Sequence, residues 1–116
     1  MPRIKLENQE DILVYKTDYD KILMQFSADW CGPCTRISPQ IANKFEQLNS
    51  NKYLYLYIDV DKHKALSKNF NVSSIPTFFI YNKETDLLQD PITTSDINEL
   101  TRYCLNNGIP LNDSSY

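Results

Sequence analysis

Glycine is nearly absent from this chain: Gly32 and Gly108 are the only two among 116 residues. Turns must therefore be built from Asn, Asp and Pro, which supply turn geometry by other means. Cysteine is sparse, and three residues are too few for a disulfide scaffold. No apolar run approaches the ~20 residues needed to cross a bilayer as a helix. The opening Met1-Pro2-Arg3-Ile4-Lys5 leads into no apolar stretch, so no secretory signal is expected. Excess basic charge is lacking too. A net charge of −3 and a pI near 5.0 argue against nucleic acid or an anionic membrane as the main partner. Repeats, linkers and low-complexity tracts are missing.

What is present suits one folded domain. Hydrophobic residues make up 41% of the chain, and 116 residues suffice for a core without staples. Ile4 to Leu6 reads as a short strand and Gln9 to Lys16 as a short helix. Lys21 to Ser27 is a short apolar run with polar ends, the pattern of a buried strand. Cys34, Ile37, Ile41, Phe45 and Leu48 then recur at helical steps, with Pro39 placed to kink that helix. Tyr53 to Asp59 alternates as a strand. A helix capped by Asp61 is expected through Phe70, with Ala65, Leu66 and Phe70 inward. Thr77 to Tyr81 and Leu87 to Gln89 read as a hairpin, with Asn82 able to take a positive φ in its turn. Thr93, Thr94 and Ser95 offer caps for a last helix that buries Ile97, Leu100 and Cys104. The domain is placed at 1–107, with 108–116 a polar tail frayed from Leu111 onward. The order β-α-β-α-β-α-β-β-α implies an α/β fold: a mixed central sheet with helices on both faces.

The residues most informative about chemistry are Trp30-Cys31-Gly32-Pro33-Cys34. They join a strand to a helix N-terminus, where unpaired N–H groups and the positive helix end favour an anion. A thiolate at Cys31 is such an anion. Cys34 lies one turn on, in the apolar stripe, where burial disfavours charge. That asymmetry suits dithiol–disulfide exchange: Cys31 attacks a partner's disulfide and Cys34 resolves the mixed disulfide. A zinc site needs four ligands, and one Cys-x-x-Cys with distant His63 and Cys104 makes a poor set. Neither a metal nor a cofactor is expected. Cys104 reads as a core residue or as a site of regulatory or intermolecular chemistry, and His63 as solvated.

Phe26-Ser27-Ala28-Asp29-Trp30-Cys31-Gly32-Pro33-Cys34 resembles the active-site stretch of the thioredoxins. Pro39, Tyr57-Ile58-Asp59-Val60-Asp61 and Ser74-Ile75-Pro76-Thr77 extend the resemblance over about residues 4 to 107. It implies a thioredoxin fold and a protein-disulfide reductase with Cys31 as nucleophile and Cys34 as resolving thiol. It implies a cis Pro76 beside the cysteines, with Trp30, Gly32, Pro33, Ser74, Ile75 and Pro76 forming a docking surface. It also implies that Asp61 accepts the Trp30 indole N–H, the alternative being a plain helix cap. Disulfide-containing proteins would be the substrates, and a thioredoxin reductase the recharging partner. A cytoplasmic monomer is expected. A disulfide oxidase or isomerase, or a binding subunit with incidental redox activity, are the rival readings.

The chain departs from the family pattern at Gln25, where thioredoxins usually carry a buried Asp beneath the Cys pair. Glutamine cannot take a proton from Cys34. General-base help is worth roughly 10²–10⁴-fold at most, since water can substitute. Gln25 is also readable as a hydrogen-bonded core group. Asp90-Pro91 stands where the family tends to carry a second glycine, which bears on the partner set. Restoring a carboxylate with Gln25→Asp should raise turnover in dithiothreitol-driven insulin reduction, and an unchanged rate would contradict a missing base.

Overall fold

The computed structural model describes residues 3–112. Its elements are β1 (Arg3–Lys5), α1 (Asp11–Asp18), β2 (Lys21–Ser27), α2 (Gly32–Gln47), β3 (Tyr53–Asp59), α3 (Lys64–Asn69), β4 (Thr77–Asn82), β5 (Leu87–Leu88), β6 (Ile92–Thr93) and α4 (Ile97–Asn106). The sheet runs β1-β3-β2-β4-β5, with β6 also paired to β4. β1 and β2 both lie parallel to β3, as crossover helices require. β4 lies antiparallel to β2, β5 and β6. The mixed α/β architecture expected from the sequence is present, with one short strand, β6, that the sequence reading lacked.

β2 sits at the centre with Ile22 to Ser27 all buried. Its odd residues and those of β3 face α2 and α4. There Leu23, Tyr55, Phe78 and Ile80 pack with Ile37, Ile41, Phe45, Leu100 and Cys104. Its even residues meet α1 and α3, where Ile22, Met24, Phe26, Leu54, Leu56 and Ile58 pack with Leu66, Ile12 and Phe70. Period-two alternation in β3 thus feeds two cores from one strand.

Several local expectations are corrected. Asp61 does not cap α3. Asp59 Oδ1 accepts the N–H groups of Asp61 (2.8 Å) and Lys62 (3.4 Å), and His63 occupies the N-cap position. His63 is buried rather than solvated: its Nε2 lies 3.0 Å from the Leu6 carbonyl. Ala65 is exposed. Asp96, not Thr93 to Ser95, caps α4 by accepting from Asn98 and Glu99 N–H groups. The hairpin's positive φ falls at Asp86 (55°), not Asn82. Asn82 instead accepts the Glu84 N–H at its side-chain oxygen.

The placement of a tail after residue 107 is also corrected. Gly108, with φ 88°, turns the chain back after α4. Ile109 (0% exposed) and Leu111 (2%) then pack into the core beside Cys104 and Leu100. Ile109 N–H closes on the Cys104 carbonyl at 2.9 Å. Apolar residues on alternate positions after a reversal can reach a core that polar neighbours obscure. Of the expected tail, residues 113–116 lie outside the described residues. Ile109→Ala should cost about 2–5 kcal/mol of stability by cavity formation, measured by urea unfolding. A change near zero would mean that the segment is not packed.

Candidate active site

β2 ends at Ser27, and the chain turns through Ala28, Asp29 and Trp30 into α2. The Cys31 N–H bonds to the Ala28 carbonyl at 3.1 Å, which fixes the turn. Cys31 is the N-cap of α2, with φ −85° and ψ 110°. Its sulfur accepts the Cys34 N–H at 3.3 Å, taking one of the orphan donors of the helix start. Pro33 lies in the first turn, where its lacking N–H costs nothing. Cys31 and Cys34 are joined as a disulfide, with Cα atoms 5.3 Å apart. Cys34 is wholly buried, Cys31 is 6% exposed, and Gly32 and Pro33 are exposed beside them.

The predicted neighbours converge here. Ile75 and Val60 pack against the Ala28, Cys31 and Cys34 cluster. The Ile75–Pro76 peptide bond is cis. Pro76 is buried, while Ser74 is exposed and its carbonyl accepts the Thr77 hydroxyl at 2.6 Å. Trp30 is 72% exposed, and its indole Nε1 donates to Asp61 Oδ2 at 2.7 Å. Of the two roles considered for Asp61, this structure holds the indole contact. Val60, one residue past the end of β3, was not singled out because a lone valine there reads as ordinary core.

Beneath the cysteines lies an uncharged network. Gln25 is fully buried. Its amide donates to Ser27 Oγ (2.7 Å) and Ser38 Oγ (2.9 Å), and its Oε1 accepts the Tyr55 hydroxyl. Ser38 in turn donates to the Cys34 carbonyl at 2.8 Å. Gln25 is therefore a satisfied polar group, two hydrogen bonds from the Cys34 backbone. Ser27 and Tyr55 read from the sequence only as strand residues, and Ser38 was not singled out, although Ser38 is one helical turn from Cys34 and Tyr55 shares Gln25's sheet face. Outside this network, Tyr57 donates to Asp29 Oδ1 at 3.2 Å. Burial, and then the Asp29 charge, push the Tyr57 hydroxyl well above its ordinary pKa. Burial likewise pushes the Cys104 thiol far up. That favours the core reading for Cys104, which is 0% exposed.

Among the described residues, no group of three or more His, Cys, Asp or Glu side chains could hold a metal ion. No helix among them is long and apolar enough to cross a membrane.

Burial pushes the Tyr55 hydroxyl up to about 12. Because the folded pKa exceeds the unfolded value near 10, Tyr55's contribution is fully present below pH ~10. It is lost as pH rises toward 12. Thermal unfolding scanned from pH 9 to 12 should show this loss, amounting to about 2–3 kcal/mol. Tyr55→Phe should flatten the slope, and an unaltered slope would place the alkaline transition elsewhere.

Comparison with known proteins agrees with this geometry. The thioredoxin family model matches residues 4–104. The chain is 28% identical over 90 residues to Thioredoxin Asp f 28 of Aspergillus fumigatus, covering 76% of this chain and 81% of that protein. It is 35% identical over 69 residues to Thioredoxin H2 of Arabidopsis thaliana, covering 57% of this chain but only about half of the relative (48%). A mutant thioredoxin from Halobacterium salinarum NRC-1 superposes with a TM-score of 0.75 at 25% identity, over 87% of this chain and 86% of the other. With a family model spanning nearly all of the described fold, and its cysteine pair bonded at the head of α2, this chain belongs to the thioredoxin family.

Proposed function

We infer that this chain is a thiol-disulfide oxidoreductase that reduces protein disulfides through the Cys31–Cys34 couple. The observation that carries the reading is the paired but unequal placement of the two sulfurs. Cys31 caps a helix with an N–H aimed at its sulfur, and Cys34 is sealed beneath it. In the reduced state the helix start favours the Cys31 thiolate, which attacks a substrate disulfide. A mixed disulfide forms and one substrate sulfur leaves as thiolate. Cys34 then attacks the Cys31 sulfur, the second substrate sulfur leaves, and the protein disulfide forms. An external dithiol or reductase returns the protein to the dithiol. No metal or cofactor has a part in these steps.

Substrates would dock across Trp30, Gly32, Pro33, Ser74, Ile75 and Pro76. Exposure of Trp30 and the packing of Ile75 against the disulfide support that surface. The backbone of Ile75 would pair with an extended substrate segment, as an added strand does. Thioredoxin reductase is the proposed recharging partner. A reducing, cytoplasmic setting suits a couple that must be returned to its dithiol form, and a monomer suits an open docking face. A binding subunit with incidental redox activity is not favoured, because nothing in the pair's placement impairs exchange.

Cys31→Ser should abolish dithiothreitol-driven insulin reduction. Cys34→Ser should accumulate mixed disulfides with substrates, seen on non-reducing gels and released by dithiothreitol. An inactive wild type that still bound a partner would favour the binding-subunit reading instead.

A further inference from the structure

Gly32 follows Cys31 directly and opens α2 without a positive φ, so its backbone does not call for glycine. What the missing side chain leaves is room. A β-carbon built there would sit 3.3 Å from Arg36 Nη1, closer than ordinary van der Waals contact. The guanidinium therefore lies over Gly32. Arg36 stands one helical turn further on, at an exposed position of α2. Long helical side chains lean toward the N-terminus of their helix, which carries this one back toward the cysteine pair.

That charge is unengaged. Among the described residues Arg36 forms no ion pair, and its side chain makes no hydrogen bond. The acidic groups beside the motif are taken up elsewhere. Asp29 has Lys5 Nζ at 3.8 Å and the Tyr57 hydroxyl at 3.2 Å, and it shares a groove with Thr35, Ser38 and Ala42 along another stripe of α2. Asp61 accepts the Trp30 indole N–H at 2.7 Å. The net charge of −3 would by itself disfavour an acidic partner. Exposed charges further apart than about 8–10 Å are largely screened at physiological salt, so the charge next to the attacking cysteine outweighs the distant excess.

We propose that Arg36 is a specificity-determining residue that favours substrates with an acidic side chain beside the disulfide cysteine. This rests on the reductase reading above and names a substrate class for the same site. A substrate sulfur attacked by Cys31 must come up beside Gly32. The residues flanking that sulfur then pass the guanidinium, whose planar fork can hold a carboxylate through two parallel hydrogen bonds. Exchange between the sulfurs is unchanged; Arg36 acts on docking.

The test uses two disulfide-bonded peptides that are identical except for Glu or Lys beside each cysteine. Reduction by the dithiol form of the protein is followed by chromatography, and kcat/KM is compared for the pair. Wild type should prefer the Glu peptide, and the preference should shrink as salt is raised from 0.05 to about 0.5 M. Arg36→Gln should lower the Glu-over-Lys ratio about two- to fivefold, the range open to an exposed ion pair. Arg36→Glu should reverse the preference, and Arg36→Lys should retain most of it. A ratio untouched by Arg36→Gln and Arg36→Glu overturns the proposal. So does an equal loss on both peptides, which would make Arg36 a general support of the Cys31 thiolate. A wild type that reduces neither peptide nor insulin overturns the reductase reading itself.

Discussion

Strand β2 is covered on both faces from Ile22 to Ser27. A strand in that position needs two hydrogen-bonded neighbours and a helical layer on each side, or its backbone and side chains stay wet. β3 and β4 supply the neighbours, and α2 with α4, and α1 with α3, supply the layers. The same strand aims its C-terminal end at the start of α2. The place where buried strand becomes exposed helix is thus also the place where two cysteines meet. Site and core share one constraint.

That constraint explains why the interior beneath the site is polar yet uncharged. A charge at position 25 would lose its hydration and need compensation. Gln25 avoids this by making three neutral hydrogen bonds to Ser27, Ser38 and Tyr55. Each partner is itself placed by a regular element: Ser27 by β2, Ser38 by α2 and Tyr55 by β3. A saturated network of this kind fixes the register of α2 on the sheet. It does so without a group that titrates near neutrality.

Much of this was legible in the chain itself. β2, β3 and the apolar stripe of α2 were readable because burial on one or both faces leaves a regular pattern. The Cys pair was readable because its spacing and position carry a mechanism. The errors arose where a tertiary contact decides against local pattern. His63 sits among lysines, yet its ring reaches the Leu6 carbonyl. Ile109 and Leu111 stand in polar company, yet Gly108 turns them into the core. Asp59 and Asp61 are two residues apart, and only the turn's geometry assigns one to the backbone and the other to Trp30. The Gln25 partners were invisible because three separate elements contribute them.

Scarcity of glycine does not loosen the face around the disulfide. Asn49, Asn71 and Asp86 adopt the positive φ angles that glycine would otherwise supply. Beside the Ile75–Pro76 loop, the Thr77 hydroxyl reaches both the Ser74 carbonyl and, at 2.7 Å, the Thr93 hydroxyl. β6 pairs there with β4, and the Tyr103 hydroxyl donates to the Asp90 carbonyl at 2.8 Å. The loop that carries Ile75 and Pro76 is therefore tied to β6 on one side and packed on the cysteines on the other. Trp30 is pinned from a third direction by Asp61. A surface held this way loses little freedom when it binds, and the binding cost falls mainly on the partner. An extended, mobile substrate segment can meet that cost by adapting to a fixed face. Rigid placement around Cys31, which keeps 6% exposure, would suit the proposed docking of extended substrate segments, with the change of shape falling on the substrate.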